Sequence, residues 1–484
     1  MYVALAQGYT IRNDQECSYL IAINRMPDTA DIELGGLAIP SFMGWIISNL
    51  GSQPYDENVD AISKMTGIST SSIKSFLDQL IENPESRSIK INDNIMIVFP
   101  PNLLRKFDSP TPSKHFDIPD FDWQKDYSYA RPTAPFSVNL MVTTKCTTDC
   151  KYCYANRGLQ SLLTTDEMID FVKHLKEIGV VNLNLTGGDI FALDGWERLL
   201  KAVVEVGYNP FLSTKTPLSA EKVKYLKEIG CTEMQFSIDS CKPEVLHELI
   251  NADMGYISRV REMFDACTEY GIQVDARTVL TSLNSDLPSI KKLYSFLTEF
   301  ASVKEWTLTP AFFSEYKEQN YKYLEPDNRD LEAIFPFLAS NDLKIRIGFN
   351  RFDDKGYRLK RCKTVEDFVK QNTICLANST VISILANGKC SVCEMLYEHE
   401  EFILGDIRKE PLEKLWNSPK ALYLYNPPQE DVNADSPCSK CKVYSSCKQS
   451  MGKRVCYMDI VKTGVLHDGP DPRCPEAPDT DKIL

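Results

Sequence analysis

Three cysteines lie close together in the sequence, at Cys146, Cys150 and Cys153, with the spacing C-x3-C-x2-C. They directly follow an apolar run that is typical of a β-strand, so all three fall on one short loop. Three thiolates on such a loop can hold three irons of a four-iron cluster and leave the fourth iron open to a small chelating ligand. A zinc knuckle is the competing interpretation, but zinc favours four closed ligands and no histidine is nearby. The spacing therefore favours an iron-sulfur site with one open iron.

A second group of cysteines occupies the C-terminal region. A C-x2-C pair followed by further cysteines is typical of zinc ribbons as well as of iron-sulfur proteins. The spacing of this group alone leaves both metals open. Its members are Cys375, Cys393, Cys438, Cys441, Cys447 and Cys474.

Composition and charge disfavour several classes of protein. The 484 residues carry a net charge of -13, which suits a nucleic-acid wrapper poorly because such binding depends on phosphate neutralisation. The N-terminus has no basic segment followed by a long apolar stretch, and no segment has the roughly 18 apolar residues that a membrane span needs. We therefore expect a cytoplasmic protein without DNA or membrane partners. Its 16 cysteines are then metal ligands or buried thiols rather than disulfides.

Six apolar runs that alternate with amphipathic helices predict a parallel, barrel-like sheet in the middle of the chain. The capping box Thr164-x-x-Glu167 predicts the start of a helix over 165–178, and Gly230 ends a second helix over 219–229. In such folds the loops at the carboxyl ends of the strands carry the active site. The predicted strands are 136–142, 181–185, 210–212, 234–238, 274–280 and 306–308.

Residues 1–105 combine short strands, three helices and a hairpin, an order that predicts a winged helix-turn-helix domain. This region carries seven Lys or Arg and twelve Asp or Glu, a net charge of -5, and its third helix offers only Lys74 as a cation. A DNA reader should be basic, so this composition disfavours DNA. The predicted elements are strands at 2–6 and 19–24, helices at 41–50, 58–65 and 71–80, and hairpin strands 89–91 and 95–97 around a polar turn at 92–94.

The first cysteine group, with the aromatic Tyr152 before its last cysteine, resembles the signature of radical S-adenosylmethionine (SAM) enzymes. Residues at the ends of successive predicted strands resemble the cofactor site of the same family. Glycines let a backbone approach the methionine ammonium closely, and a guanidinium can hold its carboxylate. The resemblance implies that SAM is bound by Gly187, Gly188 and Asp189 (where the family has Glu), and by Ser213, Lys215, Ser237, Asp239 and Arg277.

The second cysteine group, with the motifs GDI at 405–407 and LWNS at 415–418, resembles the SPASM extension of radical SAM enzymes. This resemblance implies two auxiliary four-iron clusters. The sequence departs from the family at Met451, where a further cysteine is expected. Cys456, Cys390 or Cys362 could replace it, or the cluster could keep an open iron to which a substrate thiolate binds. By position, Cys375 and Cys393, with Cys456 as a replacement, hold the first auxiliary cluster, and Cys438, Cys441, Cys447 and Cys474 hold the second.

Glu394 directly follows Cys393 and matches the position of a proton acceptor in similar sulfatase-maturing enzymes. Base catalysis on a substrate requires a carboxylate beside the reacting carbon. The competing interpretation is a solvated surface glutamate, which is the commoner environment for this residue type. We predict that Glu394 is the catalytic base.

The N-terminal region, joined to these two others, resembles the leader-peptide recognition element of enzymes that modify ribosomal peptides. In that family an extended leader adds a strand to the small sheet beside the third helix. Here the resemblance implies docking at 19–24 and 71–80. The expected partner is thus a precursor peptide whose leader is bound by residues 1–105.

The whole chain resembles SPASM peptide maturases of the sactipeptide and ranthipeptide type. This resemblance implies an α/β protein built on a partial (β/α)6 TIM-like barrel. The resemblance implies three [4Fe-4S] clusters, one of which binds SAM while two are auxiliary. It also implies thioether crosslinking and an electron donor such as flavodoxin or ferredoxin. Carbon-carbon or carbon-oxygen crosslinking, formylglycine formation, and a metal-binding regulator that reads DNA are the alternatives. The expected domains are 1–105 (winged-helix leader recognition), 106–135 (proline-rich linker), 136–310 (radical SAM barrel), 311–374 (bridging region) and 375–484 (SPASM).

Overall fold

The computed structural model shows an N-terminal region of small sheets and helices, followed by one large sheet that the C-terminal region extends. No helix among the described residues is long and apolar enough to cross a membrane. The structure describes residues 1–14, 16–23, 35–91, 96–112, 130–340, 342–350, 361–370, 375–449, 452–453, 455–464 and 468–479.

The N-terminal region packs its helices and sheets around one apolar core. Ser69 caps the third helix by accepting a hydrogen bond from the Ser72 N–H, and Gly67 ends the second helix in the left-handed conformation. The three predicted helices and the hairpin are present, whereas β2, β4 and β7 were not predicted; the predicted turn at 92–94 lies outside the described residues. The elements are β1 (Tyr2–Leu5), β2 (Tyr9–Asn13), β3 (Ser18–Ala22), β4 (Gly36–Ile39), α1 (Ser41–Ser48), α2 (Tyr55–Thr66), α3 (Thr70–Leu77), β5 (Arg87–Lys90), β6 (Met96–Phe99) and β7 (Leu104–Phe107).

The strand that was predicted to receive a leader peptide, β3, is the middle strand of its sheet. It pairs with β2 on one side and with β4 on the other, both antiparallel. Because both edges of β3 are used, no further strand can pair with it. The prediction of 19–24 as the pairing edge is therefore wrong, and β4 is an outer strand of this sheet.

Seven parallel strands, β8 to β14, lie side by side in chain order and form most of the large sheet. All six predicted strands are present, with β14 as a seventh. The predicted capping box is formed between Thr164 and Glu167. The elements are β8 (Ser137–Thr143), α4 (Thr165–Glu177), β9 (Asn182–Gly187), α5 (Trp196–Glu205), β10 (Phe211–Thr214), α6 (Ala220–Glu228), β11 (Glu233–Ser237), α7 (Pro243–Ile250), α8 (Tyr256–Tyr270), β12 (Gln273–Leu280), α9 (Leu287–Leu297), β13 (Val303–Pro310), α10 (Tyr321–Leu324), α11 (Asn328–Leu338) and β14 (Arg346–Phe349).

The C-terminal region is built onto the same sheet. β15 pairs parallel with β8, and β16 and β17 follow in antiparallel order. Because β15 runs parallel to β8, the residues that follow β15 lie at the same end of the sheet as the carboxyl end of β8. The elements are α12 (Val365–Lys370), β15 (Val381–Ile384), β16 (Lys389–Ser391), β17 (Ile403–Asp406), α13 (Leu412–Trp416), α14 (Pro419–Tyr425), α15 (Tyr444–Lys448) and α16 (Tyr457–Lys462).

The N-terminal sheet rests against the amino ends of β8 and β9. Tyr19 packs edge-on against Phe136, with ring centroids 5.1 Å apart, and Asn182 Nδ2 donates to the Ala22 carbonyl at 3.0 Å. Arg12 donates to the Ala134 carbonyl at 2.7 Å. These contacts hold the N-terminal region at the end of the barrel strands opposite to their carboxyl ends.

The end of the predicted linker is tightly docked. Arg131 donates to the Asn378 and Trp416 carbonyls, at 3.0 and 2.9 Å, and its guanidinium lies 3.7 Å from the centre of the Trp416 ring. The first linker residues continue β7, whereas 113–129 lie outside the described residues. The linker was predicted to lack regular structure and to drape over a neighbour. This is wrong for 106–107, which belong to β7, whereas 130–135 form no helix or strand and lie against the C-terminal region.

Candidate active site

A cavity of about 450 Å³ opens at the carboxyl ends of strands β8 to β13. It lies where a parallel barrel collects the loops that follow its strands. Most of the predicted cofactor residues share this cavity, together with Glu394 from the C-terminal region. The predicted residues in its wall are Cys146, Cys150, Cys153, Gly187, Gly188, Asp189, Ser213, Lys215, Ser237, Arg277 and Glu394.

The loop with the first three cysteines is held against a neighbouring helix end. The Asp149 and Lys151 N–H groups donate to the carbonyls of Ile250 and Leu249, both at 2.9 Å. Burial raises the pKa of Cys146 to about 12 and that of Cys153 to about 11. As free thiols these groups would stay protonated at neutral pH, so a bound metal must stabilise the thiolates. The residues therefore fit a cluster held by three cysteines.

The two glycines after β9 are required by close packing against the cysteine loop. A Cβ at Gly188 would lie 2.0 Å from the Lys145 carbonyl oxygen, and a Cβ at Gly187 would lie 2.4 Å from that of Thr143. Gly187 also has a φ of 118°, which side chains rarely adopt. The turn and the cysteine loop thus fix each other's position.

The Asp189 carboxylate is almost fully engaged within the protein. One oxygen accepts from the Phe191 N–H at 3.0 Å, and the other accepts from the hydroxyls of Thr214 and Thr216 at 2.6 and 2.8 Å. The side chain thereby joins the ends of β9 and β10. Its predicted contact with the SAM ammonium stays a prediction, and Asp is one methylene shorter than the Glu of the family.

Asp239 lies behind the cavity wall instead of in it. Its buried carboxylate accepts from Lys215 Nζ at 2.9 Å and from the Tyr152 hydroxyl. Asp239 is therefore placed to position a lysine and a tyrosine that do line the cavity, and its direct contact with SAM stays a prediction. Gln235, which the sequence analysis missed, donates to both Ser213 and Ser237 at 3.0 Å and fixes these predicted hydroxyls.

Arg277 lines the cavity and carries one unsatisfied guanidinium nitrogen. Its Nε atom is buried and has no hydrogen-bond partner among the described residues. Buried polar groups normally have partners, so an orphaned guanidinium nitrogen beside a cavity fits an anionic ligand. The carboxylate of an amino-acid cofactor such as SAM meets this need.

Glu394 is half-buried in the cavity wall. The Tyr154 hydroxyl donates to one of its oxygens at 3.0 Å, and the Thr186 hydroxyl donates to the other at 2.9 Å. Burial raises the pKa of Glu394, although both hydroxyls oppose this effect. With both carboxylate oxygens hydrogen-bonded inside the cavity wall, Glu394 is not a fully solvated surface residue. Its role as a proton acceptor stays a prediction.

The four cysteines predicted for the second auxiliary cluster lie close enough to influence one another. The charges of Cys438 and Cys474 act on Cys447, and those of Cys438 and Cys441 act on Cys474. Burial is the larger cause of their raised pKa values, about 12 for Cys447 and about 11 for Cys474. The four cysteines are therefore neighbours, and their binding of one cluster stays a prediction.

The first auxiliary site contains the pair Cys375 and Cys393, since the charge of Cys375 acts on Cys393. Cys456 and Cys362 are both anchored to the segment 471–473. The Cys456 N–H donates to Asp471 and the Cys362 N–H donates to the Arg473 carbonyl, both at 2.8 Å.

Arg473 also acts on the charge of Cys375, so this segment borders the first auxiliary site. Cys390 lies in the core of β16, where burial alone raises its pKa. These positions favour Cys456 or Cys362 over Cys390 as the replacement ligand. Met451 lies outside the described residues, among which no three histidine, cysteine or carboxylate side chains converge on a single metal ion.

Comparison with known families agrees with this arrangement. Residues 140–287 match the model of the Radical SAM superfamily, and residues 375–442 match the model of SPASM, an iron-sulfur cluster-binding domain. The chain carries a radical SAM domain followed by a SPASM domain. The SPASM domain supplies Glu394 to a cavity whose wall otherwise lies mostly in the radical SAM domain.

The similarity of fold to a solved structure extends over nearly the whole length of both chains. Streptococcus suis SuiB bound to S-adenosylmethionine has a TM-score of 0.65 at 12% identity, covering 98% of this chain and 100% of SuiB. SuiB bound to its precursor peptide SuiA has a TM-score of 0.65 at 14% identity, covering 97% and 98%. These similarities extend to the N-terminal region.

Curated relatives match a smaller part of the chain. The GTP 3',8-cyclase of Nautilia profundicola is 27% identical over 211 residues, which are 42% of this chain, and that of Aquifex aeolicus is 23% identical over 288 residues, which are 50% of it. The chain spans 63% of the length of the first relative and 89% of the second.

Proposed function

We propose that this chain is a radical SAM peptide maturase that installs thioether crosslinks in a ribosomally made precursor peptide. The observation that carries the proposal is one cavity whose wall holds the three-cysteine loop, Arg277 with its unpaired Nε, and the half-buried Glu394. When bound there, SAM and a [4Fe-4S] cluster supply a 5'-deoxyadenosyl radical, with an electron from a donor such as flavodoxin or ferredoxin.

The chain's own residues hold and orient the cofactor in this proposal. Cys146, Cys150 and Cys153 bind three irons and leave the fourth to SAM. Arg277 binds the methionine carboxylate, because its free Nε needs an anionic partner. Lys215, fixed by Asp239, adds a second cation to the same wall.

Glu394 accepts a proton from the peptide residue that is crosslinked. Tyr154 and Thr186 orient its two oxygens, and the raised pKa makes its carboxylate a stronger base than an exposed glutamate. Because Glu394 and Cys393 are consecutive, the first auxiliary site borders the cavity. A peptide cysteine in the cavity would lie near both the base and this site, which supports a product in which sulfur is joined to carbon.

The N-terminal region recognises the leader as a winged-helix element. Its acidic charge disfavours DNA. β4 is an outer strand beside which an extended peptide could pair, as peptides do with exposed sheet edges. The similarity of fold to SuiB, which was solved with its precursor peptide, supports the same partner class here.

The test uses anaerobically reconstituted protein, which should contain about twelve irons per chain if three four-iron clusters form. A cysteine-rich peptide encoded beside the gene is incubated with SAM and reductant. We expect the peptide to lose a pair of hydrogen atoms and one thiol that iodoacetamide can alkylate. Loss of the hydrogens with every thiol still alkylated would indicate a carbon-carbon or carbon-oxygen crosslink instead.

Three controls separate the parts of the proposal. Cys150→Ala should abolish 5'-deoxyadenosine formation yet keep leader binding. Deletion of 1–105 should spare cofactor cleavage and lose peptide modification. GTP replaces the peptide in a third incubation, and its consumption would favour the activity named for the curated relatives. Zinc in place of iron after reconstitution would refute the radical mechanism.

A further inference from the structure

The SPASM region buries a lysine with an unusual set of partners. Lys453 is fully buried, and its Nζ donates to the backbone carbonyls of Tyr425 and Lys448, the latter at 2.7 Å. Nζ also lies 5.2 Å from the centre of the Tyr425 ring. Within the described ranges, no carboxylate forms an ion pair with it, whereas the buried Lys462 and Arg473 pair with Asp459 and Asp471 at 3.1 and 2.7 Å.

Burial lowers the Lys453 pKa to about 7, and the positive charges of Lys448 and Arg131 lower it as well. The acidic side chains that act on Lys453 in the opposite direction are two thiols, Cys375 and Cys447. The backbone shows the same closeness, since the Cys375 N–H donates to the Lys453 carbonyl at 2.8 Å. On the other side, the Lys448 carbonyl that accepts from Nζ belongs to the residue after Cys447. Lys453 therefore touches one predicted ligand segment of each auxiliary cluster.

A buried cation without an anionic partner is costly, by several kcal/mol after relaxation. A four-iron cluster held by cysteinates is itself negatively charged, and each one-electron reduction adds a further negative charge. We propose that Lys453 is a shared counter-charge between the two auxiliary clusters, which stabilises their reduced states and raises their reduction potentials. This inference rests on the auxiliary clusters of the proposed function.

The positive charge of Lys453 shifts both reduction potentials upward. The ammonium attracts the reduced cluster more strongly than the oxidised one, and the low dielectric constant of a buried site enlarges this difference. Net charge and hydrogen bonding are known determinants of cluster potentials. A positive charge shared by two clusters favours placing an electron on either of them, which suits clusters that accept an electron from the substrate.

The experiment measures midpoint potentials in the full chain with Cys146, Cys150 and Cys153 replaced by alanine, so that the auxiliary clusters alone remain. Lys453→Gln keeps hydrogen-bond donors without the charge, and Lys453→Arg keeps the charge. Anaerobic redox titration followed by electron paramagnetic resonance should show lower midpoint potentials in Lys453→Gln than in the parent, and parent-like values in Lys453→Arg.

The control is Lys176→Gln, the same substitution at an exposed lysine outside the auxiliary region. Lys176 also donates to a backbone carbonyl, that of Gly207 at 3.3 Å, and lies 4.8 Å from the centre of a tyrosine ring, but it is on barrel helix α4. Its loss should leave the potentials unchanged.

Equal potentials in Lys453→Gln and the parent, at equal iron content, would overturn the inference. Loss of auxiliary iron in Lys453→Gln with retention in Lys453→Arg would support it, since Arg keeps the positive charge and Gln does not. A parent that binds no iron after reconstitution would overturn the auxiliary clusters themselves, and this inference with them.

Discussion

Replacing Gly188 with alanine should damage both the stability of the barrel and cofactor cleavage. The added Cβ would lie 2.0 Å from the Lys145 carbonyl oxygen, and real Cβ contacts are essentially never under 3.0 Å, so the two segments must separate by about 1 Å. Gly188 does not have a positive φ, so the effect is steric rather than conformational. Overpacking of this kind costs about 1–3 kcal/mol.

The same displacement reaches the chemistry, because Lys145 directly precedes Cys146. A misplacement of about 1 Å can lower a rate by about 100-fold. We expect urea denaturation to show the lower free energy of unfolding and chromatography to show about 100-fold less 5'-deoxyadenosine.

Gly255→Ala is the matched control, since its Cβ would meet the flexible side-chain ends of Arg259 and Asp253 at 3.1 and 3.2 Å. If Gly188→Ala is as stable and as active as this control, the close approach of the two loops is refuted.

Three further predictions concern single side chains. Glu394→Gln should keep 5'-deoxyadenosine formation and lose peptide crosslinking. In the unsubstituted enzyme the crosslinking rate should fall as the pH drops through the raised Glu394 pKa, because the base becomes protonated. A rate that falls only at the pH where an exposed glutamate titrates would contradict this. Arg277→Met should weaken SAM binding by about 10-fold or more, as loss of a charged hydrogen bond costs about 1.5–3 kcal/mol, and calorimetry on reconstituted protein that gives an unchanged Kd would argue against the assignment. Arg131→Met should lower the free energy of unfolding by about 1.5–3 kcal/mol, because its bonds to Asn378 and Trp416 are lost; Arg131→Lys should not restore it, since Lys lacks the planar fork.

The barrel could be predicted from the sequence because its signals are local and repeated. Each apolar run is followed by an amphipathic helix, and the capping box at Thr164 and Glu167 is formed as expected. The N-terminal strands β2, β4 and β7 have only four or five residues each, and β4 and β7 carry no clear alternation. Their pairing depends on contacts that are distant in sequence, so the local pattern could not reveal that β3 is a central strand.

The composition of the site was predictable for a related reason. Parallel strands in chain order bring their carboxyl ends together, so polar residues such as Ser213, Ser237 and Arg277 had to meet near the cysteine loop. The partners of Glu394 were not predictable, because Thr186 and Tyr154 are 208 and 240 residues away in the chain. One indication that Tyr154 lies near the cavity was present in the sequence, namely that it directly follows Cys153.

The N-terminal sheet and the cavity lie at opposite ends of β8. This separation sets a minimum length for the peptide between the bound leader and the first modified residue. β8 has seven residues, so the two ends are about 20 Å apart at about 3.3 Å per residue. A precursor held by residues 1–105 must bridge at least that distance before its first modifiable residue reaches the cavity. Since an extended chain spans at most about 3.6 Å per residue, the spacer needs at least about six residues, and shortening it should move the crosslink along the peptide toward its C-terminus.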